Sequence, residues 1–246
     1  MKVLVLGKGT MGAGITKLFR RNNFMVENFG FREFEDLEED GRASLSSADL
    51  ILECVREDVN LKAYLLSKIS ALNEVAIIGS CTSSLSISTL QMSVRNPERF
   101  LGIHFMNPPL HIPSVELVEG SQTSSQVLQD VASWLKSFNR KVIQTTDSPG
   151  FILNAILFSM LNKAVYVLQE SNQDPLVLDE VLKDVCGHAM GPLTTLDLIG
   201  LDIGLQIIEN LHVLDPKSNF PPSDLLREYV SKGYFGKKSG RGFFTY

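Results

Sequence analysis

The sequence predicts an α/β protein: a doubly wound sheet followed by a second, all-helical domain. Three observations carry this prediction. Apolar strand-like runs alternate with stretches of helical periodicity through the first half of the chain. A glycine-rich turn joins the first such run to the first helical stretch. Past "TTDSPG" the strand signals stop and only helical periodicity continues.

Taken in order, "KVLVLG" reads as a buried strand and "TMGAGITKLFRRN" as a helix. "FMVENFGF" alternates as a strand does, and "SADLILECV" is apolar and strand-like. "DVNLKAYLLSKISALN" has helical spacing and "EVAIIGS" is another strand. "FLGIHFM", "SVELVE" and "RKVIQTT" complete the strands, with the helix-like "SSQVLQDVASWLKSF" before the last. In the second half, "FILNAILFSMLNKAVYVLQE", "DEVLKDVCG" and "SDLLREYVSKG" read as helices, and so does "TTLDLIGLDIGLQIIENL" despite its glycines. Asp147 or Ser148 is placed to cap the first of these, with Pro149 in its first turn. The expected domains are residues 1–147 and 148–246. The apolar faces of the second domain exceed what one small bundle needs, which invites a homodimer.

The bulk properties exclude several classes. A net charge of −5 speaks against nucleic-acid binding, and the acidic run Glu33 to Asp40 reads as solvated surface. The apolar start lacks the features of a signal peptide. The longest apolar stretch contains Asn154, Asn162 and Lys163, so it predicts a buried helix and no membrane span. Cys54, Cys81 and Cys186 lack metal-ligand spacing and form an odd set, as reduced thiols of a cytoplasmic protein do. No metal site is expected.

Gly7, Gly9 and Gly12 have G-x-G-x-x-G spacing, with Thr10 and Met11 inside the loop. Between a strand and a helix, this pattern predicts a Rossmann-like dinucleotide site. Gly7 permits the tight turn, Gly9 lets a pyrophosphate approach, and Gly12 lets helix and strand pack closely. An acidic residue is expected about 20 positions on, to hold the adenosine ribose. Gly30 stands there instead, with Arg32 just beyond. Arg32 would suit the 2′-phosphate of NADP; alternatively Arg32 is a surface residue and Glu33 binds the ribose of NAD.

The motifs "GKGTMGAGI", "ECVRED", "SCTSSLSI", "RFLGIHFMNP", "VELVEG", "DSPGFILN", "GPLTTLDLIGLD" and "GKKSGRGFFTY" occur in order along nearly the whole chain. Together they resemble the L-3-hydroxyacyl-CoA dehydrogenases. The resemblance implies a Rossmann-like domain, a dimerising helical domain, and interconversion of a 3-hydroxyacyl thioester with its 3-oxo form. It implies His104 as the group that moves the hydroxyl proton, oriented by Glu116 twelve positions later if their two strands pair. It places Ser83 and Asn154 near the reacting oxygen, where neutral donors would stabilise alkoxide charge. It places Glu57, Lys62 and Asn107 at the cofactor. The plainer readings are a cap for Ser83, an interhelical hydrogen bond for Asn154, and a surface pair for Glu57 and Lys62. His111 lies in the loop between the proposed pair, and His188 and His212 read as structural or surface residues.

Three departures stand out. Cys81 replaces the family's asparagine, and Ala155 replaces its arginine. The long helical hairpin expected after the second strand is reduced to about 17 acidic-rich residues, Arg32 to Ala48. Negative charge beside CoA phosphates is unfavourable. The acyl group is therefore expected either on CoA, in a trimmed and more open site, or on the phosphopantetheine arm of an acyl carrier protein, as in polyketide extender-unit formation. Two other readings stay open: a non-catalytic nucleotide sensor, and a dehydrogenase of free β-hydroxyacids using Lys163.

Overall fold

The computed structural model describes residues 1–36 and 39–246. The acidic run expected on the surface lies partly outside the described residues, at Leu37, Glu38 and the side chains of residues 39–42. The chain divides into two compact units, Met1–Phe151 and Ile152–Tyr246.

The first unit is built on one seven-stranded sheet in the order β2-β1-β3-β4-β5-β6-β7. Its strands are β1 (Lys2–Leu6), β2 (Met25–Phe29), β3 (Leu50–Glu53), β4 (Ile77–Ser80), β5 (Phe100–Phe105), β6 (Ser114–Glu119) and β7 (Lys141–Thr146). All neighbours pair in parallel except β5 and β6, which are antiparallel. The central strands are apolar on both faces, as parallel strands covered on both sides must be. Val3 and Val5 of β1 join one buried cluster, and Leu4 and Leu6 join the other.

Helices α1 (Thr10–Arg21), α4 (Val59–Leu72) and α6 (Ser125–Ser137) follow their predicted stretches. Three short helices were not foreseen: α2 (Phe31–Glu35), α3 (Glu39–Ser46) and α5 (Ile87–Gln91). Each is too short for helical periodicity to register. Helices α2 and α3 are what connects β2 to β3.

One capping expectation is corrected. Asp147 does not cap the first helix of the second unit. Its carboxylate accepts hydrogen bonds from the Ile87 amide at 2.9 Å, the Ser88 amide at 2.7 Å and the Ser86 hydroxyl at 2.7 Å. It therefore satisfies the amino end of α5. Ser148 and Pro149 belong to a turn that precedes the helix.

The second unit is helical: α7 (Leu153–Ser171), α8 (Pro175–Cys186), α9 (Pro192–Ile199), α10 (Leu201–Leu214) and α11 (Asp224–Ser231). The stretch expected as one helix is two, α9 and α10, broken at Gly200. Gly200 has φ of 105°, a conformation open to glycine and strained for other residues. Buried carboxylates organise this unit. Asp179 accepts from the Leu193 and Thr194 amides at the start of α9. Asp197 accepts from the Phe243 and Phe244 amides and the Tyr246 hydroxyl. Burial and the neighbouring Asp197 push the Tyr246 phenol up to about 12. Among the described residues, no helix is long and apolar enough to cross a membrane.

Candidate active site

The candidate site residues of the first unit gather at the carboxyl ends of β1, β3 and β4 and on the antiparallel pair β5–β6. The strand order reverses at β1, so the crevice beside it is where doubly wound folds bind ligands.

The glycine loop leaves β1 here. Gly7 has φ of 129°, and a Cβ on it would lie 2.3 Å from the Cys54 carbonyl oxygen. A Cβ on Gly12 would lie 1.9 Å from the Gly7 oxygen. Both positions are closed to other residues by the fold itself. Gly9 differs: a Cβ there would meet nothing within 4 Å. It is the residue before α1, in extended conformation with no side-chain cap hydrogen bond. Thr10 and Met11 form that first turn. A helix amino end without a side-chain cap, and with open space at Gly9, fits a pyrophosphate.

Just past the end of β2, the Glu33 carboxylate stands beside Gly30. It accepts a hydrogen bond from the Gly30 amide at 2.8 Å, and the Lys8 ammonium donates to it at 2.6 Å. The bonds from Lys8 and Gly30 hold its carboxyl below the usual range. A Cβ on Gly30 would lie 3.7 Å from the Glu33 Oε2. Arg32 is exposed on α2.

Glu57 and Lys62 do not form a surface pair. Lys62 is 1% exposed and donates to Glu53, itself 0% exposed, at 2.8 Å and 3.0 Å. Its ammonium also lies 3.5 Å from Glu57. Burial pushes the Lys62 ammonium down, but Glu53 and Glu57 outweigh it and hold its pKa above the usual value. Glu57 Oε1 accepts from the Thr82 hydroxyl, the Ser83 and Ser84 amides and the Ser84 hydroxyl. Burial pushes the Glu57 carboxyl up, yet Lys62 and these hydrogen bonds leave it below the usual range. Ser83 is thus held at its backbone, while Ser86 is the residue that caps α5. Glu53 was missed in the sequence, although an acid inside the apolar run "LILEC" was the available signal.

The centre of the site is on β5 and β6. His104 and Glu116 are direct partners in the antiparallel register. His104 Nδ1 lies 2.8 Å from Glu116 Oε2, with both side chains buried. With the carboxylate ionised it can only accept, so Nδ1 donates to it, and in a neutral imidazole the lone pair is then on Nε2. Phe151 packs edge-on against the imidazole, with ring centroids 5.7 Å apart. Asn107 is exposed just past β5, and His111 lies in the turn that follows. Asn154 is buried near the start of α7 in the second unit. One further feature had no sequence signal: the Cys54 and Cys81 sulfurs lie 3.1 Å apart. Burial and its bond to Cys81 push the Cys54 thiol well up, the bond being the larger cause.

The 3-hydroxyacyl-CoA dehydrogenase NAD-binding domain matches residues 36–148, and the C-terminal domain of the same family matches residues 150–246. The chain belongs to the 3-hydroxyacyl-CoA dehydrogenase family. It is 32% identical to a probable 3-hydroxybutyryl-CoA dehydrogenase of Deinococcus radiodurans over the whole of both chains. It is 38% identical to one from Bacillus subtilis over 81% of this chain and 70% of that protein. The crystal structure of (S)-3-hydroxybutyryl-CoA dehydrogenase from Ralstonia eutropha superposes with a TM-score of 0.91 at 33% identity, covering 100% of this chain and 98% of that one. The family's NAD-binding domain supports NAD(H) as the cofactor. The matched region begins after the glycine loop, whose assignment rests on its own geometry.

Proposed function

We propose that this protein is an NAD-dependent dehydrogenase of 3-hydroxyacyl thioesters. The hydrogen bond between His104 and Glu116 is the observation that carries the reading. Oxidation of a secondary alcohol needs a base for the hydroxyl proton. The Nε2 of His104 takes it, and the Glu116 carboxylate stabilises the imidazolium that results. Bound nicotinamide would supply the acceptor for the hydride leaving carbon 3. Gly7, Gly9, Thr10, Met11 and Gly12 would hold its pyrophosphate. Ser83, held by Glu57 at its backbone, and Asn154 are the proposed donors toward the substrate oxygen. Asn107, Glu57 and Lys62 are the proposed residues on the nicotinamide side. In the reverse direction the imidazolium returns the proton.

Replacing His104 with Gln tests this reading. Turnover of 3-hydroxybutyryl-CoA with NAD should fall at least about a hundredfold while NADH still binds. Unchanged turnover would remove His104 from the mechanism. Signalling by NADH that survives in His104→Gln, with no turnover in the parent protein, would favour a sensor.

Two finer points belong to the same proposal. The cofactor is NAD in preference to NADP, because Glu33 presents a carboxylate at the ribose end and would repel a 2′-phosphate. Glu33→Gln should bring the affinities for NADH and NADPH together. The acyl carrier is proposed to be either CoA or a protein-borne phosphopantetheine arm. The shortness of α2 and α3 favours the second. Comparing turnover of one acyl group on CoA and on a carrier protein decides between them. Exposed Ile156, Val181, Val185 and Leu198 on the helical unit support a homodimer, which sedimentation would detect.

A further inference from the structure

Cys54 and Cys81 stand one step beyond the last register pair of β3 and β4, Glu53 with Ser80. The Cys81 amide still donates to the Glu53 carbonyl at 2.8 Å, so the ladder reaches them. Neighbouring strands lie about 4.8 Å apart. That separation is within the roughly 4.4–6.8 Å between Cα atoms that a disulfide spans. Both residues are half-buried, and their sulfurs are 3.1 Å apart. Neither is used in the proton transfer assigned to His104.

We propose that Cys54 and Cys81 are a thiol pair that a hydroperoxide closes to a disulfide, and that closure weakens dinucleotide binding. The Cys54 thiol donates to the Cys81 sulfur at 3.1 Å, which favours the thiolate on Cys81, so Cys81 is the sulfur that attacks. Its thiolate bonds to the outer peroxide oxygen, the O–O bond breaks, and the alkoxide leaves with a proton as an alcohol. The sulfenic acid formed on Cys81 is then attacked by the Cys54 sulfur. The S–O bond breaks, the S–S bond forms, and the hydroxide leaves with the Cys54 proton as water. Two thiols and one hydroperoxide give one disulfide, one alcohol and one water. The sulfurs lose two electrons and the peroxide gains them.

The effect on the cofactor follows from what Cys54 touches. Its carbonyl lies directly under Gly7, and its Cβ lies 3.5 Å from where a Cβ on Gly12 would be. Drawing its sulfur from 3.1 Å to a bond of about 2.05 Å shifts the residue on which the glycine loop rests. Cys81 leads directly into Thr82, Ser83 and Ser84, which Glu57 holds in place. By linkage, a bound dinucleotide must disfavour closure by the same factor.

This inference rests on the dinucleotide-binding reading, and the test separates the two. Cys186, exposed on the second unit, is replaced by Ser to prevent links between molecules. The protein is treated with tert-butyl hydroperoxide, digested and analysed by mass, and NADH binding is read by fluorescence. Linked peptides containing Cys54 and Cys81 should appear, and the Kd for NADH should rise about tenfold. Dithiothreitol should reverse both effects, and saturating NADH should slow the linkage. Cys81→Ser should show neither effect. Sulfinic acid on a single cysteine without linked peptides overturns the pair. Linkage with unchanged NADH affinity overturns its regulatory effect. Reduced protein that fails to bind NADH removes the dinucleotide reading itself.

Discussion

Glu116 Oε2 lies 2.8 Å from His104 Nδ1, and the two residues are direct partners across an antiparallel strand pair. The carboxylate thereby fixes which imidazole nitrogen is free. Glu116→Gln keeps the shape and removes the charge. The amide can also present its NH2 to Nδ1, which favours the other tautomer. Turnover should fall at least about a hundredfold. NADH affinity should stay within about threefold, because Glu116 is not among the proposed cofactor residues. Retained turnover in steady-state assays would count against the orienting role.

The glycine loop offers a clean separation of folding from binding. A methyl at Gly9 meets nothing within 4 Å, whereas one at Gly12 meets the Gly7 oxygen at 1.9 Å. Gly9→Ala should therefore unfold as the parent does while the Kd for NADH rises at least about tenfold. Gly12→Ala should lower stability as well as binding. Denaturant midpoints and fluorescence titrations read the two effects separately. Equal NADH affinity in Gly9→Ala would place the cofactor elsewhere.

The Glu53–Lys62 pair is fully buried. Removing one partner leaves an uncompensated charge in the interior. Lys62→Met should destabilise the protein by about 3–5 kcal/mol, read from chemical denaturation. The double variant Glu53→Gln, Lys62→Met should recover part of that loss. A single variant as stable as the parent would mean that the pair contributes nothing.

The Glu57 carboxyl is held below its usual range. A depressed folded-state pKa means that the carboxylate is favoured in the folded protein. Its stabilisation is present above the unfolded value of about 4.3 and is lost as pH falls through the folded value. The stability difference between the parent and Glu57→Gln should therefore shrink as pH is lowered from 6 through that window. A difference independent of pH would show that Glu57 acts by packing alone.

Much of this arrangement can be read in the sequence, and the exceptions have physical reasons. The strand–helix alternation and the glycine spacing are local patterns, so they survive without coordinates. His104 and Glu116 stand out because charged or polar groups interrupt apolar strands. Short helices such as α2, α3 and α5 leave no periodic trace. The break at Gly200 hides inside a stretch that is apolar on both sides. Asp147 sits 61 residues from the Ser86 hydroxyl it binds, so its neighbours in sequence suggested the wrong helix. Cys54 and Cys81, 27 residues apart, become neighbours only because β3 and β4 run in parallel register.

The antiparallel turn between β5 and β6 has a consequence for how the protein acquires its chemistry. A parallel neighbour would have required a crossover of a dozen or more residues, usually through a helix. Here the chain doubles back, and the imidazole meets its carboxylate across a loop of eight residues, 106–113. Closing so short a loop forfeits little chain entropy. The hairpin carrying His104 and Glu116 can therefore form early and locally, while the surroundings of the glycine loop must wait for strands brought together from distant parts of the chain.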